Sequence, residues 1–198
     1  MSARQLTRAD ILPADDYLAV RDGRRAEIRA RKADRRISVG PYATFYFENF
    51  ETMWLQVQEM LYIEKGGEEQ IEEELAAYGP LVPDGHELVA TLMFEIDDEA
   101  LRARELAKLG GVEQTVTLKI GDEIIAASPT DDIERTNASG KTSSVHFLRF
   151  GFTPAQITAF GDPETDPLLA IGHAAYPHMT VLSGPVRAAL VADFHVRQ

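Results

Sequence analysis

Residues 37–61 read ISVGPYATFYFENFETMWLQVQEML, and this stretch decides the fold. β-Branched and aromatic residues split by Gly40-Pro41 predict a short strand, a turn and a second strand. In the second strand Ala43, Phe45 and Phe47 share one face, and Tyr42, Thr44, Tyr46 and Glu48 share the other. Asn49 suits the cap of a following helix, in which Phe50, Met53, Trp54, Val57, Met60 and Leu61 form an apolar stripe at helical spacing. Strand directly after strand, with the helix appended, favours antiparallel pairing over a parallel βαβ unit.

The flanks extend that pattern. Downstream, an acidic helix spans about 68–78 and a loop 80–85, and then Leu88, Ala90, Leu92, Phe94 and Ile96 alternate along a half-buried strand. Asp97 is the expected cap of a helix running to Leu109, closed by Gly110-Gly111. Residues 113–120 and 123–127 read as strands joined at Gly121-Asp122, 128–142 as loop, and 144–152 as another strand. Thr153, Pro154 and Gln156 open a short helix over 154–160. Strands at 168–174 and 178–182 are expected around Tyr176-Pro177, and a last helix from Ser183 to about Phe194. Upstream, 13–35 reads as a polar helix with a break at Gly23 and few apolar residues, namely Tyr17, Leu18, Val20 and Ile28. The expectation is one α+β domain over residues 1–198, with a mainly antiparallel sheet able to curl toward a barrel and several packed helices.

The chain has 198 residues, with 20 Lys and Arg against 32 Asp and Glu, a formal charge of −12. That balance argues against general nucleic-acid binding, because phosphates attract a basic surface. The basic residues cluster: 21–36 (RDGRRAEIRARKADRR) carries net +5, while 64–74 holds six acids and one lysine. Either these faces are solvated and answer one another, or they dock a partner. Cysteine is absent, which removes disulfides, cysteine nucleophiles and iron–sulfur ligation by this chain. No apolar run of signal-peptide or membrane-span length is present, so a cytoplasmic protein without membrane partner is expected. The oligomeric state stays open, a homo-oligomer included.

Several polar groups could carry chemistry. Gly140-Lys141-Thr142 lacks the earlier glycine and the following helix of a phosphate loop, and reads as a polar loop. His173 and His178 frame HAAYPH and could converge on iron or zinc, with Glu48, Glu59, Glu95 or His146 as a further ligand. The plainer reading has these histidines capping strand ends. His146 shares a strand face with Leu148, Phe150 and Phe152, as a core histidine satisfied by hydrogen bonds would. Arg149, beside Val145 and Phe147, needs a carboxylate or a bound anion. Asn49, Gln56 and Glu59 could bind a polar ligand, or form a cap and a solvated helix face. A pocket between the sheet and the helix at 50–64 would be lined by Tyr42, Tyr46 and Arg149.

Four blocks, RRISVGPYATFYFENFETMWLQVQEML (35–61), ELVATLMFEI (87–96), KTSSVHFLRF (141–150) and HAAYPH (173–178), with LTRADILP (6–13), resemble a bacterial domain-of-unknown-function family, number thirty-five hundred and one of its series. The resemblance covers nearly the whole chain and implies no reaction and no catalytic residue. It implies a context: genes beside a rubrerythrin-like protein and an iron–sulfur oxidoreductase. The leading expectation is therefore a non-catalytic accessory protein docking such a partner, through the basic 21–36 face or an exposed apolar patch. The alternatives are a small metal-binding protein or non-haem metal enzyme built on His173 and His178 with a carboxylate, and a small-molecule binding module.

Overall fold

The computed structural model describes residues 5–130 and 141–194. The central hairpin forms as its sequence predicts. Strands β1 (Arg36–Val39) and β2 (Ala43–Glu48) pair antiparallel, with Val39 opposite Ala43 across a turn of Gly40, Pro41 and Tyr42. Strand β3 (Glu87–Phe94) pairs with β2, β7 (Val145–Gly151) with β3, and the short β6 (Ser128–Pro129) with β7. A second antiparallel sheet runs in the order β5-β4-β8-β9, from β4 (Val116–Ile120), β5 (Glu123–Ala126), β8 (Leu168–His173) and β9 (Tyr176–Val181).

The alternation of each strand explains how the sheets meet. Phe45, Phe47, Leu88, Leu92, Leu148 and Phe150 of the first sheet share one buried core with Val116, Leu118, Leu169 and Ile171 of the second. Helices α4 (Glu99–Leu106), α5 (Pro154–Gly161) and α6 (Gly184–Val191) add Leu106, Phe160 and Leu190 to it. The opposite face of the first sheet is covered by α1 (Ala14–Ala33), α2 (Phe50–Glu64) and α3 (Gly67–Tyr78). There Tyr17, Ile28, Met53, Trp54, Val57 and Ile71 pack with Val89 of β3 in a second core. The result is three layers, helices on sheet on sheet.

The sheets are joined at both sides without closing into a barrel. The segment 123–129 crosses from β4 to β7, and Ala127 N–H donates to the Val116 carbonyl on the way. On the other side no ladder links β9 to β1 among the described residues. A single hydroxyl does that work. Tyr176 accepts from the backbone N–H groups of Tyr42 (2.8 Å) and Ala43 (2.9 Å) and donates to the Val39 carbonyl (2.8 Å). The buried pair Arg35–Asp193 ties the C-terminal turn to the start of β1.

Four expectations are corrected. Helix α1 runs unbroken through Gly23, where open space surrounds the glycine and its helix penalty is only about 1 kcal/mol. The β8–β9 turn is Ala174-Ala175, since His173 pairs with Tyr176; Pro177 is tolerated because β9 is an edge strand. Asp98, not Asp97, caps α4, and that helix ends at Leu106. Ser128 and Pro129 belong to a strand rather than a loop, while Gly140 lies outside the described residues. Among the described residues no helix is long and apolar enough to cross a membrane.

Candidate functional site

A cleft of about 640 Å³ opens in the helix layer between the segment 8–18, α2 and α3. Its walls are apolar, from Ile11, Leu12, Leu18, Leu61 and Ile71, with the rings of Tyr17 and Tyr62. Local sequence builds it. Trp54, Gln58, Leu61 and Tyr62 recur at helical spacing on α2, so they share the face turned to α1 and α3. Lys65 ends α2 in the left-handed conformation (φ 56°), and Gly67 (φ 77°) then lets α3 fold back.

The N-terminal segment 6–13 lies across α2 as a strap. The Trp54 indole N–H donates to the Asp10 carbonyl (2.8 Å), Leu6 and Ile11 are buried, and Arg8 grips Glu68 through its Nη2 at 2.9 Å from each oxygen. Leu12 faces the large cleft on one side of the strap and a smaller one of about 260 Å³, beside Ile28, Phe50 and Trp54, on the other.

Gln58 is the unusual group. It is 2% exposed, it lines the large cleft, and its amide nitrogen has no hydrogen-bond partner among the described residues. Leaving such a donor buried and unsatisfied costs about 1–3 kcal/mol.

Several of the charges beside the cleft are engaged with one another. Glu59 accepts from the Tyr17 hydroxyl and from Arg21 Nε (2.7 Å) and Nη2 (2.8 Å), with Arg25 at 3.7 Å. The Arg21 hydrogen bonds hold the Glu59 carboxyl below its ordinary value. Burial, reinforced by Glu59, pushes the Tyr17 hydroxyl above its ordinary range. The Arg21 guanidinium also lies 4.3 Å from the centre of the Tyr62 ring.

The residues singled out from sequence are dispersed. Glu48 is buried and accepts from Thr52 (2.7 Å) and Thr91 (2.9 Å). Asn49 is the N-cap of α2, accepting from Thr52 N–H at 3.0 Å. Glu59 is the tie to α1, and Gln56 is half-buried. His146 is fully buried; its Nε2 donates to the Ser143 carbonyl (2.9 Å), its Nδ1 sits 3.8 Å from Glu113, and its ring meets Phe94 edge-on. Arg149 bonds Glu87 and the Pro80 carbonyl, so its partner is a carboxylate and a backbone oxygen of this chain. Tyr46 donates to Glu95 (2.7 Å) and accepts from Arg36 (3.0 Å) at an exposed corner. Tyr42 packs beside Tyr176. Neither tyrosine, nor Arg149, lines the cleft, which lies within the helix layer.

His173 and His178 sit on the β8–β9 hairpin. His173 Nδ1 accepts from Ala175 N–H (3.2 Å), a turn cap, and the His178 ring packs on Tyr176 at 4.5 Å. Glu48 and Glu59 belong to the helix side of the other sheet. Among the described residues no group of three His, Asp or Glu is placed to hold an ion. HAAYPH is thus not part of such a group among the described residues.

The basic 21–36 face is largely spent inside the molecule. Arg21 and Arg25 meet Glu59, Arg24 and Arg31 meet Glu27, and Arg31 also meets Glu51. A different surface is open. On the outer face of the second sheet, Ile124, Met179 and Val181 are 64%, 68% and 53% exposed.

Sequence reasoning passed over Gln58. Its signal was a polar residue four after Trp54 and three before Leu61, inside the apolar stripe of α2 rather than beside it.

Three comparisons place the chain. The sequence model of a family described as "Protein of unknown function (DUF3501)" matches residues 5–194. A crystal structure from Burkholderia pseudomallei K96243, described as a novel protein of unknown function, is similar with a TM-score of 0.87 at 37% identity, over 96% of this chain and 99% of that one. No curated protein matches.

Proposed function

The chain belongs to this DUF3501 family, and from that premise we propose that it is a small-molecule binding protein whose ligand sits in the helix-layer cleft. The observation that carries the reading is a roughly 640 Å³ apolar cleft whose lining includes the rings of Tyr17 and Tyr62 and the polar side chain of Gln58. Ligand sites typically have this make-up, an apolar concavity of about 300–1,000 Å³ with a few placed polar groups. The test uses Nile red, an uncharged dye that brightens in apolar surroundings. One dye is expected to bind per chain. Leu18→Glu changes a half-exposed wall residue and so leaves the fold intact; it is expected to weaken the dye about tenfold or more. Absence of saturable binding, or equal binding by the variant, removes the proposal.

A second reading is docking to a rubrerythrin-like or iron–sulfur protein in an iron-dependent redox module. The exposed apolar side chains of Met179 and Val181 on β9, with Ile124 beyond Lys119 on the same face, favour it, because apolar surface rimmed by polar residues marks interaction surfaces. Micromolar binding of such a partner at low salt, abolished by Met179→Lys, would support it; no binding would end it.

A further inference from the structure

We infer, resting on the binding reading above, that the cleft takes an unbranched amphiphile, an alkyl chain with a polar end, and that Leu12 sets the length of that chain. The two cavities of the helix layer lie end to end along one groove. Helices α1 and α2 run antiparallel, since Tyr17 bonds Glu59 while Arg31, farther along α1, bonds Glu51, earlier on α2. On α2, Leu61 and Lys65 line the large cleft and Phe50 and Trp54 the small one. On α1 the order is reversed, with Ala14 and Leu18 at the large cleft and Arg24 and Ile28 at the small one. At a rise of about 1.5 Å per residue, the groove from Phe50 to Lys65 is about 22 Å long, and the large cleft takes up about half of it.

A furrow between two packed helices suits a linear molecule, and the placement of charge says which way it lies. Among the described residues, the charges lining the large cleft are Arg8, Asp15, Lys65 and Glu68, all exposed, whereas Ile11, Tyr17 and Ile71 are buried. Lys65 and Glu68 flank the turn between α2 and α3, so the polar end belongs there and the chain runs toward Trp54. The rim holds charges of both signs, so an uncharged hydroxyl is a sufficient polar end. At the other end stands Leu12, alone among the described residues in lining both cavities. It is fixed from both sides. Two residues before it the Asp10 carbonyl accepts from the Trp54 indole (2.8 Å), and just after it the Pro13 carbonyl accepts from the Tyr17 N–H (2.9 Å). A half-buried side chain held in this way is a stop. Beyond it the small cleft continues along Ile28, Phe50 and Trp54. Its charged residues Arg24, Glu27 and Glu51 are paired with one another or with Arg31, which leaves apolar surface for a longer chain once the stop is trimmed.

The experiment titrates the unbranched primary alcohols from hexanol to dodecanol into the parent, Leu12→Ala and Leu12→Phe, with binding followed by calorimetry. In the parent, affinity is expected to rise about fourfold with each added methylene and to level off where the chain end meets residue 12. In Leu12→Ala the rise continues to longer alcohols, so that dodecanol binds at least about fourfold more tightly than it does to the parent. In Leu12→Phe the affinity levels off at a shorter alcohol. Hexanol, which stops short of Leu12, is expected to bind all three proteins alike. Should alanine loosen the strap, Leu12→Phe decides by itself, because it keeps a large apolar side chain on Ile28 and Trp54. A levelling point unmoved in both variants, or changes of equal size for hexanol and dodecanol, overturns the inference. If Nile red binds and the alcohols do not, or bind without regard to length, the inference falls while the binding reading stands. If dye and alcohols all fail to bind, both fall together.

Discussion

Gly40→Ala tests the corner where the two sheets meet. Gly40 has φ +70°, and a Cβ there would stand 2.6 Å from His178 Cγ, 2.7 Å from His178 Cδ2 and 2.8 Å from the Tyr176 hydroxyl. The left-handed conformation alone costs an L-residue about 1–2 kcal/mol. The contacts fall well inside the roughly 3.5–4.0 Å of good packing, so the β8–β9 hairpin must retreat. That movement pulls the Tyr176 hydroxyl from its three backbone partners, each bond worth about 0.5–1.5 kcal/mol net. Partial loss of the three adds about 2 kcal/mol, for a total of about 3–4 kcal/mol against a domain stability of about 5–15 kcal/mol. Gly111→Ala is the control: φ is +78°, yet nothing lies within 4 Å of the added Cβ, so only backbone strain is expected. Urea unfolding of both variants should show Gly40→Ala about 2 kcal/mol worse than Gly111→Ala. In a Tyr176→Phe background that excess should shrink, because the hydrogen bonds at stake are already gone. Equal losses at the two glycines, or an excess indifferent to Tyr176, would refute the close-packed corner.

Burial raises the Asp193 carboxyl from 3.8 to about 6 despite Arg35, so its proton stabilises the fold below 3.8 and that contribution is lost as pH rises through about 6. Unfolding free energies from urea titrations should therefore fall by up to about 3 kcal/mol between about pH 3 and 7.5, about half of that above pH 5, and Asp193→Asn should flatten the slope; an unchanged slope in the variant disproves the assignment. Tyr17→Phe removes a hydrogen bond to a charged acceptor and should cost about 2 kcal/mol of unfolding free energy, whereas a neutral outcome would mean that the Glu59 tie adds nothing. Glu59 is held below its ordinary value of 4.5 chiefly by Arg21, so its tie is present above that value and is lost as pH falls through the lower folded value; acid unfolding of Glu59→Gln should lack that component.

Much of the fold was legible because burial imposes periodicity. Leu88, Ala90 and Leu92 alternate since one face of β3 meets the second sheet, and Met53, Trp54 and Val57 repeat since one stripe of α2 meets the first. The misreadings arose where a local signal met a tertiary answer. Gly23 signals a break, but burial of Tyr17 and Ile28 on either side holds α1 together at a small penalty. Pro177 signals a turn, but an edge strand has no use for the missing N–H. Asp97 and Asp98 are chemically equal caps, and only chain direction chooses between them.

The candidate site was less legible, because histidines and charges attract attention while a glutamine does not. Glu59 stood out as a polar residue, but its partners Tyr17 and Arg21 lie 42 and 38 positions away, and only the α1–α2 packing brings them together. Arg149 was recognised as needing a partner, though the Pro80 carbonyl, 69 positions distant, could not be named. The lack of a partner at Gln58 is invisible in a sequence, since it is a statement about every neighbour at once.

The tie made by Tyr176 also orders events in time. Its hydroxyl bridges residues 133 to 137 positions apart, so the bond forms only after most of the intervening chain has been gathered in. Such a contact brings little return until the loop between its ends is closed by other structure. It belongs on the native side of the folding barrier, where its contribution slows escape from the folded state more than it speeds arrival. The seam between β1 and β9 is therefore a latch of the finished molecule, and its opening is the step through which the two sheets would begin to part.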